Sequence, residues 1–325
     1  MARAAASATS ASVTKPAVRV VPSASRFVPP AYNCNTLRRP RLEQQICDAV
    51  KTRAATIVAA PAGYGKSLLV AKTCETLEKQ GARIAWIHLD KRDNSYERFV
   101  QTLDLLFRPK HSAKKGAVAE PPTGPRRGRA DTYLLQWLEA LSDEKSPYVI
   151  ILDDYEVVND PAVHQLVDAL ITSFIPHVHT LILSRVTPPL SFSMLRHRRQ
   201  LLTLGSADLS FSADEIRSLL KDHFQHDVSE HSLSIIQCRT EGWPVAVQLV
   251  GMALSQRQDS TTFIENLSGC DTDVADFLNG EVLSRQPAYL VDFLMRISPL
   301  ARVSAPLCAA VTGNPDAARL LDLQR

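Results

Sequence analysis

Apolar positions cluster in five short runs through the middle of the chain: Thr56–Ala60, Ile84–Leu89, Tyr148–Leu152, Thr180–Leu183 and Leu201–Leu204. Each is apolar throughout, as expected of a strand buried on both faces. Between them, helical spacing marks Ser67–Gln80, Tyr96–Phe107, Thr132–Ser142 and Val163–Phe174, and a helix over Leu42–Thr52 precedes the first run. Strands alternating with helices predict a parallel sheet covered on both faces, an α/β domain spanning residues 38–205. After Gly205 the strand signals stop. Ser212 and Glu215 form a capping-box pair that opens a helix through Leu220. Further helices fit Ser232–Cys238, Pro244–Leu254, Thr272–Leu283 and Ala288–Arg296. Residues 206–262 thus read as a small helical lid and 263–325 as the start of a further domain. Helical spacing still runs at Ala317–Arg325, so the chain reads as part of something longer.

Composition changes this picture at two places. The first 42 residues hold no Asp or Glu and are rich in Ala, Ser, Val and Pro, so residues 1–37 are expected to form a flexible extension. Arg108–Arg129 carries seven basic residues, four prolines and one acid, Glu120. No aromatic residue interleaves its charges to stack on a base, which favours a solvated insertion over a nucleic-acid contact.

The chain as a whole has 325 residues and a net charge of 37 − 34 = +3, too small to imply general affinity for nucleic acid or acidic membranes. No stretch approaches the roughly 18 apolar residues of a membrane span, so no membrane partner is expected. The six cysteines form no CxxC pair, which argues against a zinc finger or a disulfide scaffold and for a reducing, cytoplasmic setting.

The chemistry lies in Ala60-Pro61-Ala62-Gly63-Tyr64-Gly65-Lys66-Ser67-Leu68, a phosphate-binding loop with alanine at the first glycine position. Gly63 and Gly65 let backbone amides turn toward a polyphosphate. Lys66 places a point charge on the β- and γ-phosphates, and the Ser67 hydroxyl is a candidate Mg²⁺ ligand. A buried strand precedes the loop and a helix follows it, the context this motif requires. Downstream, Tyr148–Leu152 ends in Asp153 and Asp154. Asp153 suits a second Mg²⁺ contact and Asp154 a base for water, although two aspartates after a strand can also simply cap the next helix. Ser184-Arg185 ends a third strand, where Arg185 either reaches a γ-phosphate or pairs with a surface carboxylate. The run Arg196 to Arg199 reads as a solvated helix end.

Taken in order, these motifs resemble the STAND class of signal-transducing P-loop ATPases, and within it the MalT-like, LuxR-type large transcriptional activators. The matching residues are Phe27–Pro30, Arg39–Leu42, the loop Ala60–Ser67, Trp86–Asp90 with Asp93-Asn94, Leu152–Tyr155, Ser184-Arg185, Ala207–Ser212, Gly242-Trp243-Pro244, and Phe293-Leu294 to Leu307–Gly313. The resemblance implies an ASCE-type sheet, a helical lid and a winged helix. It places Lys66, Asp154 and Arg185 in hydrolysis and γ-phosphate sensing, Ser67 and Asp153 on Mg²⁺, and Arg39, Arg41 and Pro244 near the adenine. Pro244 is equally the ordinary first residue of a helix. The resemblance further implies ATP and ADP as ligands, self-association in the ATP state, an unknown small-molecule inducer of a full-length relative, and DNA contact only through a C-terminal domain outside this chain. The basic insertion is extra to the family pattern.

The expected function is an ATP-binding, slowly hydrolysing switch module, a weak ATPase whose nucleotide state sets its conformation. Two alternatives stand beside it. One is a metabolic P-loop kinase or ATPase, which would need an acceptor pocket and several arginines over the phosphates. The other is a truncated remnant that binds nucleotide without catalysis.

Overall fold

The structure, a computed structural model, describes residues 24–30, 37–107, 146–255, 260–265, 287–300 and 303–322. The basic insertion 108–129, the helices expected at Thr132–Ser142 and Thr272–Leu283, and most of the extension 1–37 lie outside the described residues.

Five strands form one sheet: β1 (Ala55–Ala59), β2 (Arg83–His88), β3 (Tyr148–Asp153), β4 (Val178–Ser184) and β5 (Leu201–Leu204). Their order is β2-β3-β4-β1-β5 and every pair is parallel. Each strand falls within two residues of an apolar run in the sequence. The runs are predominantly apolar because helices cover both faces of the sheet. On one side, α1 (Pro40–Thr52) and α2 (Lys66–Lys79) set Leu42, Ile46, Leu69 and Val70 against Val58, Trp86, Ile151 and Leu183. On the other, α3 (Tyr96–Phe107), α4 (Pro161–Thr172) and the short α5 (Ser193–His197) pack Phe99, Leu103, Val163, Val167 and Leu195 against Ile57, Ile87, Ile150 and Ile182. This is the ASCE-type P-loop arrangement: β4 is inserted between the strand that feeds the loop and the strand that ends in Asp153.

Helix boundaries follow local chemistry. Proline opens α1 and α4, where its missing N–H is no loss, and the Asp160 side chain accepts from the Ala162 amide to cap α4. Arg198 and Arg199 follow the end of α5, as the sequence implies, and are exposed.

Beyond β5, α6 (Ser206–Leu209), α7 (Ala213–Phe224), α8 (Glu230–Thr240), α9 (Pro244–Ser255) and α10 (Ser260–Glu265) build the lid. Its own core joins Ile216, Leu220, Leu233, Ile236, Val247, Val250 and Leu254. Both halves of the capping box expected at Ser212 and Glu215 are present. Helix α7 runs four residues past the expected Leu220 and stops where Gln225 turns left-handed. Last come α11 (Ala288–Ile297), α12 (Ala305–Thr312) and α13 (Ala317–Asp322), packed through Leu290, Phe293, Cys308 and Leu320. No helix among the described residues is long and apolar enough to cross a membrane.

One buried titratable group sits at the foot of the sheet. His179 is fully buried, with Nδ1 donating to the Arg53 carbonyl at 2.8 Å and Nε2 accepting from the Thr56 hydroxyl at 2.9 Å. Burial pushes its pKa down to about 4, so the folded protein holds a neutral imidazole. The unfolded chain takes up that proton near pH 6.5, more readily than the folded one. Stability is therefore fully present above about pH 6.5 and falls as the pH drops toward 4, by roughly 3 kcal/mol from this group. Urea titrations of the protein and of His179→Gln should show that slope in the former and its loss in the latter. Equal slopes would remove His179 as its source.

Candidate nucleotide-binding site

The strand order brings three loop regions to one edge of the sheet. Residues 60–65 follow β1, Asp154 follows β3 and Arg185 follows β4. The loop turns into α2 at Gly65, which has φ +72° and no side chain to cap the helix. The first amides of α2 are left facing a cleft, together with the partial positive charge of the helix start. By contrast, side chains of Asp160, Ser212 and Ser229 cap α4, α7 and α8.

The cleft has a volume of about 840 Å³, within the range that holds a nucleotide-sized ligand. Ala62, Gly63, Tyr64, Gly65, Lys66, Ser67 and Leu68 line it together with Asp154 and Arg185. Leu37, Phe211, Leu219, Phe224, Pro244 and Val245 complete the lining, and Gln248 and His223 add polar atoms. The lining thus combines cationic and polar groups with an apolar, aromatic set.

The Lys66 ammonium is folded back, donating to the Ala60 carbonyl at 2.7 Å and the Pro61 carbonyl at 3.0 Å. Burial holds it below the ordinary lysine range, with Glu156 opposing that shift and Arg185 adding to it. The Ser67 hydroxyl donates to Asp153 Oδ1 at 3.0 Å, and Asp153 is buried. This pairing of hydroxyl and carboxylate fits the oxygen ligands that Mg²⁺ takes. Asp154 has φ 58° and makes no side-chain capping bond, so its carboxylate is free of the capping role. Its side chain reaches solvent in the cleft, yet partial burial raises its pKa, and the charges of Asp153 and Glu156 add to this.

Arg185 faces the cleft and is also ion-paired, its Nε 2.9 Å from Glu156 Oε1. Of the two roles posed for it in the sequence, the carboxylate pair is thus present. Arg39 lines the cleft, but its guanidinium is committed elsewhere. It donates twice to Glu215 at 2.7 and 3.0 Å and to the Leu209 and Ser210 carbonyls, and it lies 5.0 Å over the Phe211 ring. It ties the start of α1 to the lid. Burial, the largest single influence, would raise Glu215, but the Arg39 bond, the Ser212 amide and the charges of Arg39 and Arg41 together hold the carboxyl below its usual range. Arg41 is exposed, 3.4 Å from the Asp208 carbonyl, and is not in the cleft wall. Pro244 is both the first residue of α9 and part of that wall.

Several contacts at the site were not foreseen in the sequence. Trp243 Nε1 donates to the Ala62 carbonyl at 3.1 Å and the Val245 amide to the Gly63 carbonyl at 3.2 Å, so the lid rests on the phosphate loop itself. His88, at the end of β2, stands beside Asp153, its Nδ1 3.1 Å from Oδ2. The Asp153 hydrogen bond raises the imidazole above its ordinary pKa; burial opposes this, and the Asp154 charge and the Val28 carbonyl assist it. Partners such as these lie far apart in sequence, and no local motif marks them.

Residues 279–324 match the MalT winged helix domain family. The chain is 29% identical over 309 residues to the HTH-type transcriptional regulator MalT of Serratia proteamaculans, which covers 93% of this chain and 33% of that protein. It is 28% identical over 305 residues to the MalT regulator of Yersinia pestis, covering 92% and 33%. The chain thus spans about a third of the length of the curated relatives it matches. Among solved structures, a Walker-type ATPase of Pyrococcus abyssi shares the fold, with a TM-score of 0.55, 16% identity and 88% of each chain covered. The chain is MalT-like, with a P-loop ATPase fold followed by a winged-helix segment.

The lid contact makes the two loop glycines unequal. Both have positive φ, but a Cβ on Gly65 would meet nothing within 4 Å, whereas one on Gly63 would lie 2.7 Å from Val245 Cγ1 and 2.8 Å from Trp243 Nε1. Gly65→Ala should cost about 1–2 kcal/mol of backbone strain. Gly63→Ala should cost roughly 2–4 kcal/mol, since overpacking adds to the strain. Urea unfolding of both variants checks the order, and equal losses would mean that the lid does not rest on the loop.

Proposed function

We propose that this chain is the ATP-binding, slowly hydrolysing switch module of a MalT-type transcriptional regulator, with ADP and ATP as its resting and active ligands. The observation that carries the reading is the convergence on one cleft of an uncapped helix start, Lys66, Asp154 and Arg185, with Ser67 bonded to Asp153 beneath and a lid above. Residues 38–205 are the nucleotide-binding core, the lid expected at 206–262 extends to Glu265 at the end of α10, and the winged-helix region follows it. A regulator of this kind would reach DNA and its inducer through parts outside this chain.

On this reading the amides of residues 63–67 receive the β- and γ-phosphates, and Lys66 exchanges its two carbonyl partners for phosphate oxygens. Mg²⁺, held by the Ser67 hydroxyl with Asp153 behind it, would neutralise charge on the β- and γ-oxygens. Asp154 accepts a proton from the attacking water as its oxygen bonds to the γ-phosphorus and the bond to ADP breaks. Arg185 leaves Glu156 to meet the γ-phosphate, which makes the state at the end of β4 depend on the terminal phosphate alone. The apolar part of the cleft lining, with Phe211, Phe224 and Pro244, suits a base, and Gln248 offers an amide to its edge. A metabolic kinase is less well supported. Among the described residues two arginines line the cleft, and Arg39 is already bound to the lid, which leaves Arg185 for the phosphates.

Three variants test this reading by calorimetric titration and single-turnover hydrolysis. Lys66→Ala should weaken nucleotide binding at least tenfold, about 1.4 kcal/mol. Unchanged affinity would remove the phosphate-loop assignment. Asp154→Asn should keep ATP binding and suppress hydrolysis, because asparagine tolerates the left-handed backbone but takes no proton from water. A joint loss would make Asp154 structural or a metal ligand. Arg185→Ala should lower affinity for ATP about tenfold or more while sparing ADP, as befits a charge-assisted bond of roughly 1.5–3 kcal/mol to the terminal phosphate. Equal effects on both nucleotides would end its role as sensor.

A further inference from the structure

The end of β2 presents a group of side chains that the proposed hydrolytic site does not use. Register pairs His88 with Asp153, and the ring turns toward that carboxylate, on the face of the sheet that carries α2. His88 Nδ1 and a carboxylate oxygen from each of Asp153 and Asp154 lie within 4.8 Å of one another. Two electron-rich atoms 3.1 Å apart, as Nδ1 and Asp153 Oδ2 are, require a positive centre between them. A proton serves when nothing else is bound. The same separation is that of neighbouring ligands on one octahedral cation, since bonds of about 2.1 Å at right angles put ligand atoms on the order of 3 Å apart.

The backbone of Val28 also stands against the ring, and that segment is itself held in place. Residues 24–30 cross the end of β2, where Arg26 is buried, donates to the His88 carbonyl at 3.0 and 3.1 Å, and pairs with the fully buried Asp93. Asp93 is fixed in turn by the Thr102 hydroxyl at 3.2 Å and the Asp90 amide at 2.8 Å.

We infer that His88 Nδ1 is a direct ligand of the divalent cation at the Ser67–Asp153 position, so that this site selects a first-row transition ion, with Mn²⁺ as probe, over Mg²⁺. The inference rests on the proposed nucleotide site and adds a nitrogen ligand to it. Mg²⁺ takes oxygen ligands and keeps several of its waters, whereas imidazole raises affinity along the transition series. The strap 24–30 then acts as outer support, connecting Arg26 through Val28 to the ligand ring.

The test is pulsed electron paramagnetic resonance on the full chain with Mn²⁺ and ADP, together with competition between Mn²⁺ and Mg²⁺. The expected spectrum carries modulation from one directly bound nitrogen. It should change when histidine is labelled with ¹⁵N and vanish in His88→Asn, which retains a donor toward Asp153. The preference for Mn²⁺ over Mg²⁺ should fall at least tenfold in that variant, while metal-free ADP affinity stays unchanged. Bound Mn²⁺ without nitrogen modulation, or an unaltered preference in His88→Asn, would overturn the inference and make His88 a positioning residue for Asp153. The nucleotide site would survive that result provided Lys66→Ala still abolished binding. If neither ion bound with nucleotide, both the inference and the metal part of the nucleotide site would fall.

Discussion

The structure depends on a short stretch of backbone that joins a buried strand to a helix with no capping side chain. Between Ala60 and Ser67 the chain leaves a buried strand and enters a helix through two left-handed glycines, and no side chain caps that helix. An uncapped helix start costs stability: a capping side chain is typically worth about 1 kcal/mol. Here the loss is tolerated beside a lysine and an arginine, which favour an anion in the same place. The loop is nevertheless not left slack. Strand β1 holds one end, α2 the other, and Trp243 and Val245 of the lid hold the middle.

Sheet order converts this local constraint into a site. With β4 between β1 and β3, the residue after each strand lies one strand spacing, roughly 5 Å, from the next. That distance is enough to bring Lys66, Arg185 and Asp154 around one small polyanion. A different order would leave Asp153 and Ser67 apart, and the 3.0 Å bond between them would be lost. The register His88 to Asp153 has the same origin, because β2 is the outer neighbour of β3. A histidine two residues earlier on β2, in the place of Trp86, would sit in the hydrophobic core.

Much of the fold was legible in the sequence, for a physical reason. A parallel sheet buried on both faces produces uninterrupted apolar runs, and all five runs became strands with small shifts at the ends. The phosphate loop was legible because its chemistry is contiguous, and Asp153 and Asp154 because they end such a run. The contacts that hold the site together were not legible. Arg39 reaches Glu215 across 176 positions and Trp243 reaches Ala62 across 181, and neither pair leaves a local signature. Glu215 was identified as a capping residue, which it is, but a capping box gives no hint of an arginine from α1. Arg41, two positions from Arg39 and Glu43, which do line the cleft, stays out of its wall because α1 turns about 100° at each step. For His88, the signal exists only once strand register is known.

Whether such a module can switch is a matter of comparing energies across the cleft. Besides lid side chains packed against the loop and α1, the described bonds joining lid to core are few. They are the two bonds from Trp243 and Val245 to the loop, the Arg39 cluster on Glu215, Leu209 and Ser210, and the long, exposed Arg41 contact with the Asp208 carbonyl. Neutral hydrogen bonds contribute about 0.5–1.5 kcal/mol each, and bonds to a charged group about 1.5–3 kcal/mol. Opening at the loop alone therefore costs roughly 1–3 kcal/mol in hydrogen bonds, while the Arg39 cluster remains as a hinge. On the proposed reading, a γ-phosphate met by Arg185 would contribute an amount of the same size. A ligand shifts a conformational equilibrium only by its differential affinity for the two states, and that difference would then match the lid contact it has to oppose or reinforce. Were Arg39 also bonded to the loop, the lid would be held too firmly for one phosphate to matter. Its place just before α1, bonded to the lid and not to the loop, would leave the balance open to the nucleotide.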